Sequence, residues 1–313
     1  MSVLISITLF SCEKNSVEIN SNESAQTQKD LKTIVFDGLT AKVSKDFPDD
    51  VAALTSSDLK QIAENSKNLR SSSSGKSFWE IFDGVKKKYP DVTNFEPKEY
   101  LIYFPEMTVD EIVERQEKVL SFIEGLIGYE TAVEFSRNGS YESISKNGRS
   151  SATNYDGYDP NSCEIWYFAG HARLDRSGIE DAMNLAYQYG GYGNNDASDA
   201  RRHGILAVMV GKYGARRYAT VSKARDVAEG FLEAHECNDS GMSKAMDLHN
   251  NKVGFNYFET IAERYKEGLF NYSVRVNTSD NDISTYVHGM SIVVKTTEPE
   301  INAVNGSTLV RFQ

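Results

Sequence analysis

Apolar positions at helical spacing dominate the middle of the chain. After Thr108-Val109-Asp110-Glu111, which has the spacing of a capping box, Ile112, Val113, Leu120, Ile123, Leu126 and Ile127 recur at helical intervals and predict a packing helix. A further helix is expected over 179–189, stopped by Gly190-Gly191. Three more come after it. In 198–210, capped by Asp196 or Ser198, the residues Asp199, His203, Leu206, Val210, Tyr213 and Arg217 share one face at about 100° per residue, with Arg202 beside them. In 222–236, Ala224, Ala228, Phe231 and His235 line up, and Glu236 points about 100° away. In 243–266, Met246, Asn250, Val253, Tyr257 and Ile261 form the inner face, with Asp247 and Gly254 on its flank. Strand patterns occur at 33–36 and, near the other end, at 270–276, 290–294 and 308–312. The expected fold class is mainly α, a helical domain with a small β appendage at the C-terminus.

The inward faces carry unusual residues. Asp199, Arg202, His203, His235, Glu236, Asp247, His249, Asn250 and Asn251 all fall within the three central helices. A carboxylate, imidazole or amide on an apolar stripe is desolvated and needs a partner. Asp247 and His249 diverge by roughly 160° on a straight helix, so Asp247 with Asn250 is the favoured pair and His249 ranks lower.

The order Asp-Ala-x-Arg-His at 199–203, His-Glu at 235–236 and Met-Asp-Leu-His-Asn-Asn-x-x-Gly at 246–254 resembles an uncharacterised family of bacterial domains of unknown function, many of whose members look exported or lipid-anchored. Where that family often carries an aromatic such as Trp, three residues after the histidine, this chain has Leu206. The resemblance implies a helical domain and a shared polar site, and it implies no reaction.

The ends change the picture. Residues 1–12 form an uncharged apolar run too short to span a bilayer, and Leu9-Phe10-Ser11-Cys12 resembles a bacterial lipobox. Cys12 is therefore the expected lipidation site, carrying palmitate-type acyl chains, and the expected location is the bacterial cell envelope as a membrane-anchored lipoprotein, periplasmic or surface-facing. Residues 13–75 are expected to be a polar tether with little structure, apart from the strand at 33–36 and a short helix over 56–65, and Ser71-Ser72-Ser73-Ser74-Gly75 reads as a joint. The remaining divisions are a helical extension over 76–150, the motif-bearing helical domain over 151–275 and a β-rich segment over 276–313.

A formal net charge of −11 on 313 residues argues against a nucleic-acid partner, whose phosphates demand positive charge. Several chemistries are excluded by spacing. His235-Glu236-Cys237-Asn238-Asp239 lacks the second histidine of a zinc protease helix, and an EF-hand register from Asn194 would place Asp199 and Ile205 where Gly and Glu are required. No Walker loop, nucleophile elbow or paired C-x-x-C occurs. Cys163 and Cys237 would pair in an oxidising envelope, or stay as two buried thiols.

Two readings remain. In the first, Asp199, His203, His235 and Asp247 hold a divalent ion such as zinc in a hydrolase, Glu236 is the general base, Arg202 stabilises developing negative charge and Asn250 completes the site. In the second, the same residues form a satisfied polar core in a non-catalytic binding or structural lipoprotein.

Overall fold

The structure, a computed structural model, describes residues 30–65, 75–140 and 158–312. Cys12, the apolar leader and the serine run of the expected joint lie outside these residues. Of the segment expected to be a tether, residues 31–65 carry regular structure. Strands β1 (Leu31–Phe36) and β2 (Leu39–Ser44) form an antiparallel hairpin, with helix α1 (Ser56–Asn65) after it. Asp37 and Gly38 both take positive φ, the geometry of a tight two-residue hairpin turn. Leu39, Val43, Leu59 and Ala63 from this segment are buried in the first core, which is why it does not behave as its polar composition suggests.

Helices α2 (Phe78–Lys86), α3 (Val109–Glu114) and α4 (Gln116–Asn138) complete the first unit. Capping boxes Ser77/Glu80 and Thr108/Glu111 open α2 and α3. The run predicted as one packing helix is thus two, with Arg115 between them. Helix α5 (Ser162–Gly170) faces both ways. Ile165, Trp166 and Ala169 join the first core, where Trp166 meets Phe78 and Phe135 edge-on, while Phe168 enters the second core against Phe231.

The second core is built from α6 (Arg176–Gly190), α7 (Ala197–Met209), α8 (Val221–His235) and α9 (Gly241–Ile261). Asp196 caps α7, accepting from the backbone N–H groups of Ser198 and Asp199. Helix α7 runs into a π-helical turn, Val210–Gly214, whose extra residue per turn shifts the phase of the chain beyond it. Helix α9 ends at Ile261, earlier than expected, and Ala262–Glu267 becomes β3, paired antiparallel with β4 (Asn271–Val276).

The C-terminal segment expected to be β-rich carries helices α10 (Asp280–His288) and α11 (Glu298–Asn302) beside the short parallel pair β5 (Ile292–Val294) and β6 (Leu309–Arg311). Ile283, Val287 and Leu309 from this segment are buried in the second core. The fold is mainly α, and no described helix is long and apolar enough to cross a membrane.

Candidate metal centre

Close packing of α7 on α9 positions the site. A Cβ on Gly254 would collide with the carbonyl oxygen of Gly204, so the two backbones touch where no side chain intervenes. One turn before that contact, each helix presents a pair of polar residues four apart: Asp199 and His203 on α7, Asp247 and Asn251 on α9. All four are buried, together with Glu236 in the turn after α8.

The geometry centres on His203. Its Nε2 lies 3.2 Å from Asp247 Oδ1 and 3.6 Å from Asp199 Oδ1. Its Nδ1 is 3.3 Å from Asn251 Oδ1, an acceptor, so Nδ1 carries the proton and Nε2 presents its lone pair to the two carboxylates. Glu236 Oε1 stands 3.9 Å from Nδ1. Asp199 is further held by the guanidinium of Arg202 and by the backbone N–H of Asn195 on its other oxygen.

Too few positive groups serve these acceptors. The acceptors Asp247 Oδ1 and Glu236 Oε1 are buried without a hydrogen-bond partner, as is one donor, Asn251 Nδ2. Burial pushes the Asp247 carboxyl up to about 9, reinforced by the charges of Glu236 and Asp199. Burial also raises Glu236, to about 7, with His235 pulling the other way. Asp199 is raised by burial against the pull of Arg202. Burial, with the charges of Arg202 and His235, drives His203 down to about 3, so its ring is neutral near pH 7.

These donors fit a small divalent ion. Asp199, His203 and Asp247 each offer one ligand atom, all within 4.8 Å of one another. Donors bound tetrahedrally at the usual zinc distances stand about 3.4 Å apart, and the two distances from Nε2 bracket that value. The contact of Nδ1 with Asn251 Oδ1 resembles the outer hydrogen bond by which metal-binding histidines are generally oriented.

The other expected site residues lie outside this donor set. His235 is half-exposed and directs Nδ1 to Glu164 Oε1 at 2.8 Å. Burial opposes its charge, but the Glu164 carboxylate outweighs burial and raises the imidazole to about 9, so His235 is a cation paired on α5 and does not join the three donors. Asn250 turns away from Asp247 and clamps β6: its Nδ2 donates to Val310 O at 2.9 Å and its Oδ1 accepts from Val310 N at 2.8 Å. The favoured pairing of Asp247 with Asn250 thus gives way to Asp247 with Asn251, four residues on along the same face. His249 bonds the carbonyl of Thr308. Arg202 spends its guanidinium on Asp199 and on the carbonyls of Gly191 and Gly193.

Cys163 and Cys237 form a disulfide, which ties the start of α5 to the turn carrying Glu236. Asn161 reinforces the tie, capping α5 through its side-chain oxygen while its amide donates to the carbonyls of Ala234 and His235. A cleft of about 890 Å³ opens elsewhere in the molecule and is lined by none of the cluster residues.

No match was found among curated proteins, and none among solved structures. Residues 177–282, which contain α7 to α9 and every member of the Asp199/His203/Glu236/Asp247/Asn251 cluster, match the family model of a domain of unknown function (DUF6973).

Proposed function

We propose that the chain is a metal-dependent protein of the cell envelope, with a divalent ion held by Asp199, His203 and Asp247, and that hydrolysis is the chemistry it serves. The observation that carries this reading is the buried imidazole of His203, whose Nε2 faces two carboxylate oxygens at 3.2 and 3.6 Å. Three lone-pair donors converge there, and either a proton or a metal must stand among them. Mixed nitrogen and oxygen ligands suit zinc or another transition metal. Such an ion, when bound, polarises a substrate carbonyl or phosphoryl and activates water.

The chain's own residues divide the remaining work. Asn251 fixes the histidine ring, and Arg202 fixes Asp199. The unpaired Glu236 Oε1 is the acceptor left for a water proton. Anchoring through an acylated Cys12 would keep this domain at the membrane.

A second reading is favoured by burial. Asp199, His203 and Asp247 are only 2%, 8% and 6% exposed, which suits a closed ion that staples α7 to α9. One set of measurements separates the readings. Metal content is determined on purified protein and on His203→Ala and Asp247→Asn, alongside hydrolysis of ester and phosphoester probes. Stoichiometric metal with hydrolysis, both lost in the variants, is the expected result. Metal without hydrolysis selects the staple, and absence of metal from protein offered zinc, manganese and iron ends both.

A further inference from the structure

We infer that the cleft between the β3–β4 hairpin and the turn after α7 binds the phosphoryl group of a small molecule. It measures about 890 Å³ and is walled by the hairpin, by residues 212–217 and by a loop of the first unit at 93–96. None of the residues clustered around His203 lines it, so it is separate from the candidate metal centre.

Charge is the first argument. In a chain of net −11, the cleft is lined by Lys212, Arg216, Arg217 and Arg275 against Glu96 and Glu267 alone. Two of the four cations are already matched: Lys212 bonds Asp280 at 2.8 Å, and Arg275 bonds Glu263 at 2.7 Å. Arg216 and Arg217 are different. Both direct Nη2 to the same oxygen, Oδ2 of Asp175, at 3.1 Å. The other oxygen of Asp175 accepts from Ser177 and Gly178 at the start of α6. One carboxylate oxygen therefore answers two guanidiniums, and most of their ten N–H donors are left over for an anionic ligand.

Rigidity is the second. Val274 N donates to Arg216 O at 2.8 Å, which docks the arginine pair onto β4, and Asp175 N donates to Gly214 O at 2.9 Å. Gln116 on α4 donates to Asn271, and Phe270 packs on the first core, so the hairpin is held from both units. Two arginines on a docked backbone, both reaching one carboxylate oxygen and both partly exposed to the cleft, match the three acceptor oxygens of a phosphoryl dianion, and the exposed Leu269 and Tyr265 offer an apolar wall for the group to which the phosphate is attached.

The test titrates inorganic phosphate, phenyl phosphate and benzoate into intact protein at low salt, measured by calorimetry. A parallel arm measures retention on vesicles of phosphatidylglycerol. Phenyl phosphate is expected to bind more tightly than phosphate, and benzoate more weakly than either. The double variant Arg216→Ala/Arg217→Ala should weaken phenyl phosphate by about tenfold or more. Because that variant also frees Asp175, Ser273→Asp serves as a second probe. It sets a negative charge into the cleft without touching the cap of α6, and the same loss is expected. Vesicle retention that both variants abolish would assign the phosphoryl group to a lipid headgroup, and no retention assigns it to a soluble ligand. Absence of phosphate and phenyl phosphate binding, equal binding by wild type and variants, or benzoate binding as tight as phenyl phosphate would overturn the inference.

Discussion

Two buried polar clusters lie on either side of α5, and they are satisfied in opposite ways. At its C-terminal end, Arg173 is fully buried between Glu117 and Glu124 and stacks over the Tyr218 ring at 4.1 Å. All four carboxylate oxygens there accept a hydrogen bond, from the guanidinium, from Tyr218 Oη or from the backbone N–H groups of Arg173 and Ala219. Around His203 three carboxylates share one guanidinium, and two of their oxygens bond nothing. In the first cluster the protein itself satisfies every carboxylate oxygen, and the unpartnered atom is a donor, Arg173 Nε. The second leaves two carboxylate oxygens for protons or an ion, and on the proposed reading that difference marks it as a site.

Removing the arginine is the most severe way to test the contrast. Arg173→Ala strands the buried carboxylate of Glu124 and the partly buried one of Glu117, and should lower the unfolding free energy by about 3–5 kcal/mol, read from urea midpoints. Metal content, in whatever fraction remains folded, should not change. A loss below about 1 kcal/mol would mean that the first cluster is no more self-sufficient than the second.

Next in size is the disulfide, which closes a 74-residue separation and belongs to neither cluster. Cys163→Ser/Cys237→Ser should cost about 2–4 kcal/mol in thermal or urea unfolding while leaving the metal donors intact. Loss of metal from this variant would place Glu236, next to Cys237, closer to the ion than its 3.9 Å separation from His203 suggests.

The neighbouring amides sharpen the comparison within one helix. Asn250→Ala removes both bonds to Val310 and should cost about 1–3 kcal/mol, with metal retained. Asn251→Ala, whose Nδ2 already bonds nothing, should cost under about 1 kcal/mol yet weaken metal binding by about 10–100-fold, because it frees the histidine ring. Equal effects of the two substitutions in both assays would erase the distinction.

The smallest expected change in stability, and the most diagnostic, is at Asp247. In metal-free protein Asp247→Asn should be neutral or stabilising within about 1 kcal/mol at neutral pH. The sign of its pH dependence comes from the raised carboxyl. The fold prefers the protonated form, so its contribution is full below the ordinary value of 3.8 and is lost as pH rises through about 9. Melting temperature of the metal-free protein should therefore fall between pH 5 and 9, and Asp247→Asn should flatten that slope. Glu117 acts in the opposite direction: burial opposes its charge but Arg173 outweighs burial, so its contribution is present at neutral pH and lost on acidification below 4.5. A slope unchanged by Asp247→Asn would remove the carboxyl from the titrating set.

Much of this was legible in the chain itself. The four-residue spacing of Asp199 and His203 on an apolar stripe put both on one buried face, and they are there. Local periodicity could not decide between Asn250 and Asn251, because the partner that claims Asn250 is the backbone of β6, sixty residues away. His235 ended an apolar stripe, yet Glu164 on α5 captured it, and nothing in either helix's own pattern marks that pair. Glu117, Glu124 and Arg173 read as ordinary charged positions, since burial of a charge depends on the elements packed over it. Residues 262–266 looked helical as an extension of α9, but β4 offers them a ladder that a solvated last turn of helix cannot match.

The π-helical turn at Val210–Gly214 has a consequence for length changes in this segment. Ahead of it α7 aims His203 at Asp247; within it Lys212 and Tyr213 reach Asp280, and beyond it Arg216 and Arg217 reach Asp175. Deleting one residue there would restore an ordinary helix and turn everything downstream by about 100° relative to everything upstream. Most single replacements on the solvent side of the turn alter one contact, whereas an excision re-aims half of the molecule's polar anchors at once, so the segment tolerates change of letter far better than change of count.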